Sequence, residues 1–154
     1  MVQPIVPPDG ALGAADGLVE LARLVQDVHA RTAERHDLTP VQAKLLCVLA
    51  SGPRRMAELA RCFGVEKAAL TGLVDRAERR GLVRRTPDPG DGRALRVMLT
   101  DRGRRAGVAF HADATDQLDQ LLAPLPRGDR DHFGSSITQI LAASTTPVGM
   151  AELA

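Results

Sequence analysis

Arginine is the residue whose number and placement first suggest a chemistry. Between Arg54 and Arg105 the chain carries 14 Arg or Lys against 7 Asp or Glu, a net of +7, whereas the remainder carries 6 against 12, a net of −6. The whole-chain charge of +1 conceals this division. A basic centre between acidic flanks suits a module that meets a polyanion, because clustered cations neutralise phosphates and release their counterions. Inside this window Lys67, Ala68, Thr71, Gly72 and Asp75 lie opposite an apolar stripe of Leu70, Leu73, Val74 and Ala77. One helix face therefore presents only small or polar groups, which approach base edges where large apolar ones would clash with a groove floor. Arg93, flanked by Arg84, Arg85 and Arg96, follows in a segment rich in turn residues and suits a minor groove or the phosphate backbone.

Other chemistries find less support. No nucleophile stands with a base in a recognisable elbow or triad, no glycine-rich phosphate loop is present, and Gly90-Asp91-Gly92 reads as a hairpin turn, so the chain is not expected to be an enzyme. His29, His36, His111 and His132 form no closed Cys/His spacing, and neither a metal nor a cofactor is expected. Cys47 and Cys62 each fall in an apolar helical pattern and are expected to be buried small hydrophobes, with a thiol-based redox-sensing regulator as the competing reading. No apolar run approaches the roughly 18 residues of a membrane span, and Met1-Val2-Gln3-Pro4 lacks the start of a signal peptide. These features predict a soluble, cytoplasmic protein with no membrane partner.

The elements that must position the arginines follow from periodicity. With 154 residues, 44% of them hydrophobic, one core is expected. Residues 1–15 hold three prolines and two glycines and read as an irregular arm. Leu18, Leu21, Val25 and Val28 then recur at the spacing of a narrow helical stripe that needs a partner surface. Thr39-Pro40-Val41-Gln42 is a capping box with proline at the first helical position, opening a helix to about Ala50 whose apolar set is Val41, Leu45, Val48 and Leu49. A short helix with Met56, Leu59, Ala60 and Phe63 ends at Gly64, and a longer one runs from about Glu66 to Arg80 before Gly81. The period then changes to alternation: Leu82 to Thr86 and Ala94 to Leu99 read as strands around a polar turn, Pro87 to Gly92. Thr100-Asp101 opens a helix striped by Phe110, Ala114, Leu118 and Leu121, and Phe133, Ile137, Ile140 and Leu141 mark a last one. Residues 145–154 read as a loose tail.

This order predicts a mainly α fold with a small β-hairpin wing: a winged helix-turn-helix with six helices, whose second motif helix enters the major groove. A winged-helix protein-interaction module is the competing class, and the basic centre favours DNA. Leu38-Thr39-Pro40-Val41-Gln42, then Leu73-Val74-Asp75-Arg76 with Gly81-Leu82-Val83-Arg84-Arg85, then Asp88-Pro89-Gly90-Asp91-Gly92-Arg93 leading to Val97-Met98-Leu99-Thr100, resemble the MarR (multiple antibiotic resistance regulator) family of transcriptional regulators over roughly residues 16 to 144.

The resemblance implies a homodimer that acts on a pseudo-palindromic operator in duplex DNA, usually as a repressor. Residues 16–36 and 100–144 would supply the dimerisation helices from both termini, and 37–99 the DNA-binding lobe. It further implies Lys67, Ala68, Thr71, Arg76 and Arg93 as DNA contacts and Asp75 as a wing anchor paired to Arg93; the reading of the hairpin adds Arg84 and Arg96 as DNA contacts and Asp91 as a second wing anchor. A small-molecule effector would lie in a crevice between the dimer helices and the lobe, near His29, Arg31, Thr32 and Cys47. The chain departs from the family pattern at Glu66, where many relatives carry a serine cap, at Gly72, usually a longer polar residue, and at Gly92, often basic.

Overall fold

A computed structural model describes residues 12–144, so most of the expected arm and all of the expected tail lie outside the described residues. The element order is α1 (Ala14–Arg35), α2 (Pro40–Ala50), β1 (Arg54–Arg55), α3 (Met56–Phe63), α4 (Lys67–Arg79), β2 (Val83–Asp88), β3 (Asp91–Leu99), α5 (Asp101–Leu122) and α6 (Arg127–Ala143). This is the expected winged helix-turn-helix with six helices. Among the described residues, no helix is long and apolar enough to cross a membrane.

Local chemistry sets the helix ends. Thr39 Oγ1 accepts from the Gln42 N–H at 3.2 Å while Gln42 Oε1 accepts from the Thr39 N–H at 3.1 Å, the reciprocal cap expected from the sequence. Gly64 and Gly81 adopt left-handed backbone at φ 61° and 68°, which terminates α3 and turns the chain from α4 into β2. Arg80, just beyond α4, ties that end back to the α1–α2 turn, donating to Gln42 Oε1 at 2.8 Å and to Asp37 Oδ2 at 2.6 Å.

The core joins all of these elements except β1 and α6. Leu45, Leu46 and Leu49 of α2 meet Leu59 of α3, Leu70, Val74 and Ala77 of α4, Val83, Val97 and Leu99 of the sheet, and Phe110 and Ala114 of α5. Each fully buried leucine or valine contributes about 1.5–3 kcal/mol relative to exposure, which holds the helix-turn-helix and the hairpin as one body. Val41, expected on the inner face of α2, is 44% exposed, and Leu46 takes its place.

The sheet is larger than expected. Its strand order is β1-β3-β2, because Arg54 and Arg55 pair antiparallel with Val97 and Arg96. A two-residue strand has no alternation to read, so the sequence carries no signal for it. The wing strands also run further, leaving only Pro89 and Gly90 between Asp88 and Asp91, with a register shift at Pro87/Asp88. Pro87 has no N–H to donate, and the edge strand β2 tolerates it beside that bulge.

Of the two terminal helices, α1 joins this core only through its C-terminal half and α6 stands apart from it. On α1 only Val28, Thr32 and Ala33 are buried, and α6 has no buried residue at all. Leu18, Val19, Leu21 and Leu24 of α1 and Ile137, Ile140 and Leu141 of α6 remain exposed.

Candidate nucleic-acid interface and the crevice behind it

The face of α4 opposite Leu70, Val74 and Ala77 presents exposed Lys67, Ala68 and Arg76 with half-buried Thr71 and Gly72. Glu66 stands at the N-cap without a side-chain cap bond, and so leaves the first-turn N–H groups of α4 open. The Thr71 hydroxyl donates back to the Lys67 carbonyl at 2.9 Å, a bond that a base edge would have to replace. A methyl group on Gly72 would meet nothing nearer than Arg76 Nη1 at 3.4 Å, the end of a flexible side chain. Gly72→Ala is therefore expected to stabilise the fold by about 0.5–1 kcal/mol through helix propensity alone. A urea midpoint at or below that of the wild type would refute this.

The wing places Arg84 and Arg93 in solvent, Arg84 on β2 and Arg93 three positions past the turn. Asp91 Oδ1 accepts from the Arg93 backbone N–H at 3.1 Å, which fixes the strand start from which that side chain extends. The expected pair of Asp75 with Arg93 does not form. Asp75 instead binds Arg85 Nη2 at 2.6 Å, and Glu78 takes the Arg85 N–H and Nη1. The register explains the difference: Arg85 lies opposite Val97, and Arg93 is four residues further along β3, about 13 Å at the rise of a strand. Asp75 therefore clamps the base of the wing against α4 and leaves Arg93 free to reach outward.

Sequence reasoning missed the buried carboxylate of Asp88, which holds both Arg55 and Arg96. Those contacts, with the Gly90 N–H, keep its carboxyl far below the usual carboxylate range. A signal was present, since Asp-Pro-Gly is a turn in which the aspartate accepts from the amide two residues on, here at 2.7 Å. Also unforeseen is the junction of α1 with α5, where Asp113 accepts from Arg35 at 2.8 Å and contacts His36 Nε2 at 3.0 Å. Arg35 and then His36 lower the carboxyl's pKa.

Behind the lobe, α1, α2 and α5, with the end of α3, line a crevice of about 640 Å³ whose lining includes His29, Lys44, Cys47, Cys62, Phe110 and His111. Arg31 and Thr32, expected there, do not line it. Two residues turn a helix by about 200°, which sends the Arg31 side chain to solvent, and Thr32 is wholly buried on the inner face of α1. Burial and then His111 lower the pKa of His29, whose ring lies 5.9 Å from that of Phe110. Among the described residues, no three His, Cys, Asp or Glu side chains come together to hold a metal ion.

The two cysteines differ, contrary to expectation. Cys47 is buried and its thiol pKa is raised by that burial, whereas Cys62 is exposed because it lies about 100° around the short α3 from Phe63. Iodoacetamide on the native protein at neutral pH is expected to modify Cys62 and to reach Cys47 only after denaturation. Equal native labelling in a peptide mass map would contradict this.

A helix-turn-helix whose second helix shows a small, polar face, followed by an arginine-bearing hairpin, defines a winged-helix nucleic-acid-binding protein. Residues 36–94 match the model of the MarR family. The chain is 43% identical over 67 residues to the HTH-type transcriptional repressor NicR of Pseudomonas putida, a match covering 43% of this chain and 42% of that protein. The chain thus spans less than half the length of that curated relative. Among solved structures it superposes on CouR, a transcriptional repressor bound to a 23-mer DNA duplex, with a TM-score of 0.66 and 30% identity, covering 84% of this chain and 92% of that one. Apo MarR of E. coli gives a TM-score of 0.76 at 23% identity over 85% and 98% of the two chains, a likeness of fold. The winged lobe over residues 36–94 is of the MarR family. Family and fold are those of transcriptional regulators, not of enzymes.

Proposed function

We propose that this chain is a cytoplasmic, sequence-specific repressor that occupies a pseudo-palindromic operator as a homodimer and is released by a small ligand. The observation that carries this reading is the pairing of the open face of α4, with Lys67, Ala68, Thr71 and Arg76, and the solvent-directed Arg84 and Arg93 of the wing on one rigid lobe. Residues 37–99 form the DNA-binding lobe, and 16–36 with 100–144 the dimerisation region, whose exposed apolar faces on α1 and α6 suit a second copy. Two-fold symmetry then brings two recognition helices to successive major grooves about 34 Å apart. A ligand in the crevice, against His29 and Cys47 where α1 and α5 meet the lobe, acts by changing the separation of the two lobes.

The test is a salt-titrated binding assay on genomic duplex fragments with Arg93→Ala alongside. Tight, selective binding is expected to weaken steeply with salt. Arg93→Ala should cost about 1–3 kcal/mol, roughly 5- to 150-fold in affinity. Weak, unselective binding at every salt concentration would instead favour a protein-interaction module.

A further inference from the structure

Asp88 sits at the foot of the wing tip and is 2% exposed. Its Oδ2 accepts from Arg55 Nε at 2.5 Å and from Arg96 Nε at 2.8 Å, and its Oδ1 from the Gly90 N–H. Arg55 and Arg96 are direct cross-strand partners of β1 and β3, an arrangement in which two like charges repel. The carboxylate between them offsets that repulsion and leaves the trio with one net positive charge.

Each guanidinium is gripped through Nε alone. No hydrogen bond among the described residues engages the terminal Nη atoms of Arg55 or Arg96, and the two side chains remain 44% and 35% exposed. Two planar forks are thus held in fixed directions with their outer N–H groups open, which is the donor pattern that matches the oxygens of a phosphodiester. Glu58 and Asp91 stand near Arg55 as well, but Glu58 Oε2 accepts from the Arg55 backbone N–H and Asp91 Oδ1 from that of Arg93. Neither forms a bond with the outer edges of the forks.

We infer that Asp88 is a positioning residue that holds Arg55 and Arg96 as a two-pronged seat for one backbone phosphate of duplex DNA, beside the groove that Arg93 reaches. The inference rests on the DNA-binding reading and deepens it: β1, ahead of the recognition helix, joins the wing in gripping the duplex. A brace that served only the wing's fold would have no need of the exposed Nη edges.

The test uses the full chain and a 30-base-pair duplex, a length of about three helical turns, selected by the wild-type protein from a random pool. Arg55→Ala and Arg96→Ala are each expected to weaken binding roughly tenfold and to flatten the plot of log K against log salt by about 0.9. Methylphosphonate placed singly along the duplex should reveal one phosphate whose neutralisation weakens the wild type and leaves Arg55→Ala unaffected. Asp88→Asn keeps both positive charges, so its salt slope should stay near that of the wild type while sensitivity at that phosphate is lost. That combination would not arise from a purely structural brace. Selective binding with an unchanged slope in Arg55→Ala, and no phosphate distinguishing it from wild type, would overturn the seat alone. Recovery of no selective duplex would overturn the DNA-binding reading and the seat together.

Discussion

Gly103→Ala is expected to destabilise the protein by at least about 3 kcal/mol, lowering its melting temperature by roughly 10 °C. Gly103 lies in the first turn of α5, where helix propensity alone would favour alanine by about 1 kcal/mol. The tertiary contact reverses that sign. A Cβ built at this position would stand 1.8 Å from the Leu82 carbonyl oxygen and 2.8 Å from its carbon. No side chain can swing aside to relieve the clash, because the obstacle is backbone. That carbonyl is also fixed from other directions, accepting from the Thr100 N–H at 3.1 Å and lying 3.2 Å from the Thr100 hydroxyl, which itself receives the Gly103 N–H at 3.0 Å. The joint couples the start of the wing to the helix that leads toward the terminal region, so Gly103→Ala must dislocate either β2 or α5. Gly107 is the control: its added Cβ would meet only Leu46 Cβ at 3.4 Å, and alanine there should cost far less. Thermal unfolding of both variants decides the matter, and a Gly103→Ala midpoint within about 2 °C of the wild type would show that the close approach is not maintained.

The second large effect is expected at Ile140, which is 56% exposed on α6 with Ile137 and Leu141 beside it. Since α6 buries no residue within its own chain, Ile140→Asp should leave the lobe folded, with an unchanged unfolding transition for the α2–α5 core. Under the proposed two-fold assembly the same substitution enters the interface twice, and each unpaired carboxylate there costs several kcal/mol. Sedimentation at about 10 µM should therefore show a dimer for the wild type and a monomer for Ile140→Asp, since a loss of several kcal/mol moves a nanomolar dimer beyond the micromolar range. Loss of one of two half-site contacts should then reduce DNA affinity by at least about 100-fold, in proportion to the second lobe's share of the binding energy. A dimeric Ile140→Asp would place the subunit contact elsewhere, and a monomeric wild type would remove the dimer from the proposed mechanism.

The features legible in the sequence were those set by local chemistry. The capping box at Thr39 and Gln42, the breaks at Gly64 and Gly81, the change from helical to alternating period after Gly81 and the polar face of α4 all depend on neighbours within a few residues, and each is found where periodicity places it. The family motifs were legible for the same reason, as short runs of fixed spacing. What required the tertiary structure were contacts that join distant segments: Arg55 to Asp88 across 33 residues, Arg35 to Asp113 across 78, and Asp75 to Arg85 in place of Arg93. No periodicity encodes which of several arginines a carboxylate meets. Strand register decides it, and the bulge at Pro87/Asp88 moves that register by residues that look alike in sequence. The same holds for Cys62 and Arg31, whose patterns suggested burial and a crevice, and whose exposure depends on how far round each helix the neighbouring elements reach. Composition and spacing by themselves determined that this chain makes a winged helix with a basic centre; packing alone decided which arginines are held by carboxylates and which stand free, because pairing depends on distances that only the assembled core sets.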